Sequence, residues 1–143
     1  MNSENQIVDN SVSTPNNKRQ KIIITEFADR NQFLDALKVN PGIIVIKLGA
    51  EWCGPCKTIH GLVYKCFQQM PDNILCADID VDKNFDLYTF LKSKRMVNGI
   101  PAILAYYKDN TSYVPSDSVV GANPVKVKEF FTRCLEHSKK NIK

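Results

Sequence analysis

The feature that most constrains the fold is a nearly continuous apolar run, Ile43 to Leu48, that leads directly into a pair of cysteines. Because both sets of alternate side chains are largely apolar, the run predicts a central strand that is buried on both faces of a sheet. Beyond the cysteines, apolar residues recur at helical spacing at Ile59, Leu62, Val63, Cys66 and Met70. This spacing predicts an amphipathic helix. The chain thus places two cysteines between a buried strand and a helix.

Residues 52–57 read Trp-Cys-Gly-Pro-Cys-Lys, in which two cysteines are close enough to form a small disulfide ring. Pro55 suits the first turn of a helix, since its missing N–H has no partner there. We therefore expect Cys53 at the helix N-terminus, where free N–H groups and the helix dipole stabilise a thiolate. A thiolate is the nucleophile of disulfide exchange. Cys56, one turn further and more buried, can then resolve the mixed disulfide.

Two other interpretations of the cysteine pair are weaker. A zinc site needs a second pair of ligands, yet the remaining cysteines are isolated and the two histidines form no such pair. These residues are Cys66, Cys76, Cys134, His60 and His137. A purely structural role is also disfavoured, because so short a ring removes little chain entropy. The sequence predicts no metal site.

Length and composition indicate one globular domain. The chain has 143 residues, of which 43% are hydrophobic and 24% charged. Its five cysteines are an odd number, which favours a reducing compartment. The first twenty residues hold no apolar run long enough for a signal peptide, and no segment approaches transmembrane length. We expect a cytoplasmic protein with no membrane contact, a nuclear location being the alternative.

The net charge of +4 belongs to the two ends of the chain. Residues 22–136 carry equal numbers of acidic and basic residues, so the sequence indicates no nucleic-acid groove. Residues 18–21 read Lys-Arg-Gln-Lys, which is a weak nuclear signal or, preferably, part of a solvated tail. We divide the chain into a disordered tail at 1–21, a domain at 22–138 and a basic tail at 139–143. We expect a monomer.

The periodicity along the chain predicts nine elements in the order β-α-β-α-β-α-β-β-α. The helix over Asp29–Asn40 has Asp29 and Gln32 placed as a capping box, and Asn123-Pro124 is a helix start. The other expected elements are strands at Ile22–Thr25, Ile43–Leu48, Ile74–Val81, Pro101–Lys108 and Ser118–Val120, and helices after Cys53, through Phe85–Leu91 and through Val127–Cys134. This order implies an α/β fold with a central mixed sheet and helices on both faces.

The motif Trp52-Cys-Gly-Pro-Cys56 resembles the active site of the thioredoxin family. The similarity runs from about Ile22 to the C-terminus and includes the stretches Ala50-Glu51, Asp80-Val-Asp82, Gly99-Ile-Pro101 and Gly121-Ala122. The resemblance implies the thioredoxin fold and a redox-active disulfide between the two cysteines. It also implies protein disulfides as substrates, an electron donor similar to thioredoxin reductase, and no bound cofactor.

The resemblance also assigns a substrate surface. It implies a cis peptide bond before Pro101 and places this proline beside the cysteine pair. The Ile100 backbone would then be free to pair with an extended substrate strand. Trp52 is expected to form an aromatic wall over the cysteines. The predicted substrate-binding residues are Trp52, Gly54, Pro55, Gly99, Ile100 and Pro101.

One position departs from the family. Thioredoxins carry a buried Asp six residues before the first cysteine and a Lys on the next strand, whereas here Lys47 and Asp78 occupy these places. We predict that the two side chains form a partly buried ion pair that tunes Cys56. Neutral Lys47, or Asp78 acting through water, are the candidate bases. The alternative is that Lys47 reaches solvent and contacts nothing.

Three functions are consistent with the sequence. The preferred one is a protein disulfide reductase that works by thiol–disulfide exchange through Cys53 and Cys56. A thiol oxidase or disulfide isomerase is the second, since Lys47 alters the charge near the site. The third is a binding module whose redox activity is incidental, which the polar N-terminal extension and the long loop at residues 109–117 would suit.

Overall fold

The computed structural model describes residues 20–140. Within this range the chain forms four helices and four strands. In chain order they are α1 (Arg30–Lys38), β1 (Ile43–Gly49), α2 (Gly54–Gln69), β2 (Ile74–Asp80), α3 (Phe85–Ser93), β3 (Ala102–Tyr107), β4 (Asp117–Val120) and α4 (Pro124–Lys140).

The strands form one mixed sheet in the order β2-β1-β3-β4. Strand β1 is parallel to β2 and antiparallel to β3, and β3 is antiparallel to β4. All seven residues of β1 are buried, as the apolar run predicted. The expected mixed sheet with β1 at its centre is therefore confirmed.

Helices cover both faces of the sheet, and the side chains of β1 alternate between them. Helices α1 and α3 pack on one face, where Phe33 and Phe90 join Ile44 and Ile46 of β1 in one core cluster. Helices α2 and α4 pack on the other face in a second cluster. That cluster includes Ile43, Val45, Ile59, Phe67 and Phe130. Each apolar side chain of β1 therefore belongs to one of two separate cores.

The first predicted strand is wrong in its extent. Residues 22–25 make only an isolated parallel bridge, in which Ile24 N–H donates to Cys76 and the Ile24 carbonyl accepts from Asp78. Three residues before Ile24, the Lys21 N–H donates to the Gln68 side chain at 2.8 Å. The backbone of Lys21 thus bonds to a residue of α2 and not to β2. The single bridge at Ile24 is too short to count as a strand.

The predicted tails lie mostly outside the described residues. Residues 1–19 and 141–143 are not described, so the proposed limits of the domain stay predictions. Gln20 donates to the Tyr64 hydroxyl at 2.6 Å, and the Lys21 ammonium donates to the Pro71 carbonyl at 3.0 Å. Helix α4 continues to Lys140. Residues 20 and 21 therefore lie along the end of α2.

The predicted helix starts are confirmed. Asp29 is the N-cap of α1, and its carboxylate accepts from Gln32 N–H at 2.9 Å. The reciprocal bond of the Gln32 side chain goes to Ala28 N–H, one residue before the position expected for a capping box. The Asn123 side chain accepts from the N–H groups of Val125 and Lys126 at the start of α4.

An ion pair links α1 to α3. The Arg30 guanidinium lies 2.8 Å from Asp86, and the Arg30 backbone N–H donates to the same carboxylate at 2.8 Å. These hydrogen bonds from Arg30 hold the pKa of Asp86 well below its usual range, at about 2. The helices on this face are thus joined by a contact that requires an ionised carboxylate.

We expect this contact to be lost in acid. Because the folded pKa of Asp86 lies below the unfolded value, its stabilisation is complete above about pH 4 and falls as the pH approaches about 2. The difference in free energy of unfolding between wild type and Asp86→Asn should shrink over this range, as measured by urea denaturation. Asp35→Asn is the control, since Asp35 pairs with Lys38 on an exposed surface. An Asp86→Asn difference that stays constant with pH would contradict this assignment.

Candidate active site

Cys53 is the N-cap residue of α2, as the sequence predicted. Its backbone is extended, with φ −91° and ψ 110°, and its sulphur accepts from the Cys56 N–H at 3.2 Å. Pro55 lies in the first helical turn, and Lys57 N–H donates to the Cys53 carbonyl. A sulphur at this position faces the unpaired N–H groups and the positive end of the helix dipole. The local backbone therefore favours a thiolate at Cys53.

Cys53 and Cys56 form a disulfide, with their Cα atoms 5.3 Å apart. Both residues are buried, Cys53 being 6% and Cys56 3% exposed. Gly49, at the end of β1, makes room for Cys56, because a Cβ at Gly49 would lie 3.3 Å from the Cys56 sulphur. The strand thus brings its backbone directly against the second cysteine.

The peptide bond between Ile100 and Pro101 is cis, which confirms the expectation. The Cys53 sulphur lies 3.9 Å from the Ile100 carbonyl oxygen. Strand β3 begins only at Ala102, and Gly99 has open space where a side chain would stand. The segment 99–101 therefore flanks the first cysteine with backbone and with little side-chain bulk.

Trp52 lies on the surface beside the cysteine pair. Its side chain is 69% exposed, yet the indole N–H donates to the Asp82 carboxylate at 2.7 Å. Gly54 and Pro55 are exposed at the start of α2. The ring is therefore held in orientation by Asp82 while much of its apolar area stays in water.

Lys47 and Asp78 form the ion pair predicted from the exchanged charges. The two residues are direct partners in the parallel ladder of β1 and β2, and Lys47 Nζ lies 3.7 Å from the Asp78 carboxylate. The Lys47 side chain is 5% exposed and that of Asp78 is 35% exposed. A buried ammonium without a partner would be costly, so Asp78 makes Lys47 tolerable inside the sheet.

The ion pair lies close to Cys56. Lys47 Cε and the Cys56 sulphur both lie within 4 Å of the point where a Cβ of Gly49 would stand, at 3.8 Å and 3.3 Å. All three residues, with Asp78, line a cavity of about 380 Å³. Its other lining residues are Ala50, Glu51, Lys57, His60, Ile79 and Asp80. The second cysteine thus borders a polar cavity that is large enough for several water molecules.

The remaining thiols are buried away from this site. Cys66, Cys76 and Cys134 are free and pack in the core between the sheet and helices α2 and α4. Burial raises the pKa of the Cys76 and Cys134 thiols to about 12, and it raises the pKa of Cys66. Such thiols are poor nucleophiles. In residues 20–140 no group of three or more His, Cys, Asp or Glu side chains is placed to hold a metal ion.

The structure brings most of the predicted site residues together. Trp52, Cys53 and the segment 99–101 meet at one edge of the sheet, while Lys47 and Asp78 lie beneath Cys56. The sequence reasoning missed Gly49, His60 and Asp82 as parts of the site. Asp82 had a usable signal, because acidic residues that follow β2 lie at the same sheet edge as the end of the parallel strand β1.

Comparisons with known proteins agree with this geometry. The Thioredoxin family profile matches residues 24–133. Thioredoxin-1 of Saccharomyces cerevisiae is 32% identical over 110 residues, which cover 75% of this chain and 94% of the yeast protein. Thioredoxin-2 of the same yeast is 29% identical over 107 residues, with the same coverage of each chain. A Fasciola hepatica thioredoxin structure has a TM-score of 0.61 and 26% identity, covering 77% of this chain and 98% of the other.

The fold and the buried cysteine pair at a helix N-terminus define a dithiol–disulfide oxidoreductase. The chain belongs to the thioredoxin family. It is a protein disulfide oxidoreductase that works by dithiol–disulfide exchange. No helix in residues 20–140 has both the length and the apolar character needed to cross a membrane.

A double-mutant cycle tests the Lys47–Asp78 contact. We expect Lys47→Asp and Asp78→Lys each to lower the free energy of unfolding by about 1–3 kcal/mol, because each leaves two like charges side by side. The double variant restores opposite charges and should recover at least about 1 kcal/mol of coupling. The same exchange at the exposed pair Lys38 and Asp35 is the control, with an expected coupling below about 0.5 kcal/mol. Additive effects at Lys47 and Asp78 would exclude the pair.

Proposed function

We propose that this chain reduces disulfides in other proteins, with Cys53 as the nucleophile and Cys56 as the resolving thiol. The observation that carries this assignment is the position of the Cys53 sulphur, which caps α2 and lies 3.9 Å from the Ile100 carbonyl. On one side of the sulphur the N–H groups at the start of α2 stabilise a thiolate. On the other side lies the backbone of Ile100. Cys56, by contrast, borders the interior cavity.

The reaction follows from these positions. The Cys53 thiolate attacks one sulphur of the substrate disulfide, which forms a mixed disulfide and releases the other substrate sulphur as a thiolate. Cys56 then loses its proton and attacks the Cys53 sulphur. The Cys53–Cys56 disulfide forms, the second substrate thiolate leaves, and two electrons have passed from the dithiol to the substrate.

The substrate is proposed to bind across Trp52 and the segment 99–101. An extended substrate strand can form backbone hydrogen bonds with Gly99 and Ile100, which precede β3. The exposed Trp52 ring supplies apolar contact. Gly54 and Pro55 leave the approach to Cys53 free of large side chains.

The proposal extends to partners and location. A reductase similar to thioredoxin reductase would return electrons to the disulfide, and the chain would act as a monomer. The three free thiols besides the active pair suit a reducing compartment, so we place the protein in the cytoplasm. A dimer in size-exclusion chromatography, or recovery of the full-length chain in a secretory fraction, would contradict these assignments.

The reductase assignment is tested by dithiothreitol-driven reduction of insulin disulfides. We expect wild type to be active and Cys53→Ser and Cys56→Ser each to lose nearly all catalysed turnover, because exchange through the pair requires both thiols. Cys66→Ser is the matched control, since it removes a buried thiol of the same helix outside the pair. Inactive wild type, with folding verified by circular dichroism, would contradict a reductase and favour the binding module.

One observation favours a thiol oxidase as the second candidate. The Lys47 ammonium lies near Cys56 and can stabilise its thiolate, which exists only in the reduced form. Stabilising the reduced form raises the reduction potential and makes the disulfide a stronger oxidant. Asp78 opposes this effect through its own negative charge. The balance of the two charges thus sets the reduction potential of the cysteine pair, and with it whether the pair acts better as a reductant or as an oxidant.

The potential should respond to each charge with opposite sign. We expect Lys47→Met to make the reduction potential more negative and Asp78→Asn to make it less negative, by roughly 15–40 mV each. Equilibration with glutathione redox buffers measures both values. The exposed pair supplies the controls Lys38→Met and Asp35→Asn, which should leave the potential unchanged. Equal potentials for wild type and both site variants would remove the basis for the oxidase.

A further inference from the structure

We propose that His60 accepts the proton of Cys56 when the resolving thiol ionises. This inference rests on the proposed function, because it concerns the second half of the exchange reaction. It replaces the two candidate bases considered from the sequence, neutral Lys47 and Asp78 acting through water.

The helix places His60 and Cys56 together. Both residues belong to α2 and are four positions apart. Residues at this spacing lie on one helix face, with Cβ atoms about 5–6 Å apart. Both also line the cavity beneath the pair, with Lys47 and Asp78 on the sheet side. A proton can therefore pass from the Cys56 sulphur to the imidazole directly or through one water molecule in the cavity.

His60 is suited to this role by its position at the surface. Cys56 is 3% exposed, so the route for its proton leads chiefly through the cavity. The His60 side chain is exposed on its outer side and lines the cavity on its inner side. His60 can thus take the proton of Cys56 and later release it to solvent, which returns the imidazole to its neutral form for the next reaction.

The other charged groups at the cavity are weaker candidates. Lys47, Lys57, Glu51, Asp78 and Asp80 line it, and Tyr64 borders a smaller void with His60, Lys47 and Asp78. An ammonium holds no free electron pair for a proton. Asp78 is engaged by Lys47, and Asp80 accepts the backbone N–H of Asp82. The neutral imidazole of His60 has a ring nitrogen with a free electron pair that can accept a proton.

In this mechanism His60 takes the proton of Cys56, and the Lys47 ammonium stabilises the thiolate that remains. Cys56 Sγ–H loses its proton to the imidazole, and the sulphur keeps the electron pair as a thiolate near Lys47. The thiolate attacks the Cys53 sulphur and forms the Cys53–Cys56 bond, while the bond from Cys53 to the substrate sulphur breaks. The leaving thiolate takes up a proton from solvent, so charge and electrons balance.

The experiment uses the reduced full chain and the chromogenic disulfide dithiobis(nitrobenzoate). Attack by Cys53 releases one thionitrobenzoate in a phase whose rate depends on reagent concentration. Attack by Cys56 on the mixed disulfide releases the second in a concentration-independent phase. Because the leaving thiolate needs no proton, the second phase isolates proton removal from Cys56. Cys56→Ser should show only the first phase.

We expect His60→Gln to slow the second phase about tenfold at pH 7 and to leave the first phase unchanged. Because Gln cannot accept a proton, the dependence of the second-phase rate on pH should differ between wild type and the variant. Lys65→Gln changes another exposed residue of α2 and is the matched control, with wild-type kinetics expected in both phases. In His60→Ala, added imidazole should restore part of the second-phase rate.

The outcomes distinguish the proposed dithiol exchange from the proposed role of His60. A wild-type protein without a second phase would contradict the proposed dithiol exchange itself. A second phase with the same rate and pH profile in wild type and His60→Gln would overturn the role of His60 and leave the dithiol chemistry intact. A slower second phase that keeps the wild-type pH dependence and is not rescued by imidazole would also overturn it.

Discussion

The structure depends on the burial of β1 between two cores and two neighbouring strands. Its backbone pairs with β2 on one side and β3 on the other, and its side chains alternate between the two helical layers. A strand in this environment tolerates little besides apolar residues. Three parts of the site are positioned by this strand. Its end leads into Cys53, its Gly49 contacts Cys56, and its Lys47 lies beneath the pair.

Lys47 is the one charged residue of β1, and its side chain is buried near Cys56. The ammonium is held by one carboxylate on the neighbouring strand, and the ladder register fixes which residue supplies it. A cation at this position stabilises a nearby thiolate but cannot take its proton. The proposed mechanism therefore assigns the stabilisation of the thiolate and the transfer of its proton to different residues.

The two cysteines have different surroundings although they are three positions apart. Cys53 lies between the start of α2 and the backbone of residues 99–101. Cys56 borders a polar cavity on the interior side. Both residues are largely buried, and they differ in the groups that surround their sulphur atoms. The proposed order of exchange, in which the mixed disulfide forms at Cys53 and Cys56 resolves it, agrees with this difference.

Much of the fold and of the site could be predicted from the sequence, because the interactions that decide them are local. The apolar run of β1, the caps Asp29 and Asn123, and the Cys-Gly-Pro-Cys turn each act within a few residues. The exchanged charges predicted the Lys47–Asp78 contact because parallel neighbours in a sheet keep a fixed register. The family resemblance supplied the cis bond before Pro101.

Only the tertiary structure decided the rest, since those features depend on contacts between distant segments. Residues 22–25 have a strand-like sequence, but the Gln68 side chain binds the backbone just before them, and only one bridge to β2 forms. Trp52 meets Asp82 only because both follow strands that end at one edge of the sheet. His60 faces the cavity only because α2 packs over Lys47 and Asp78. The sequence by itself determined the chemistry of the cysteine pair, and the packing of helix on sheet determined which groups surround it.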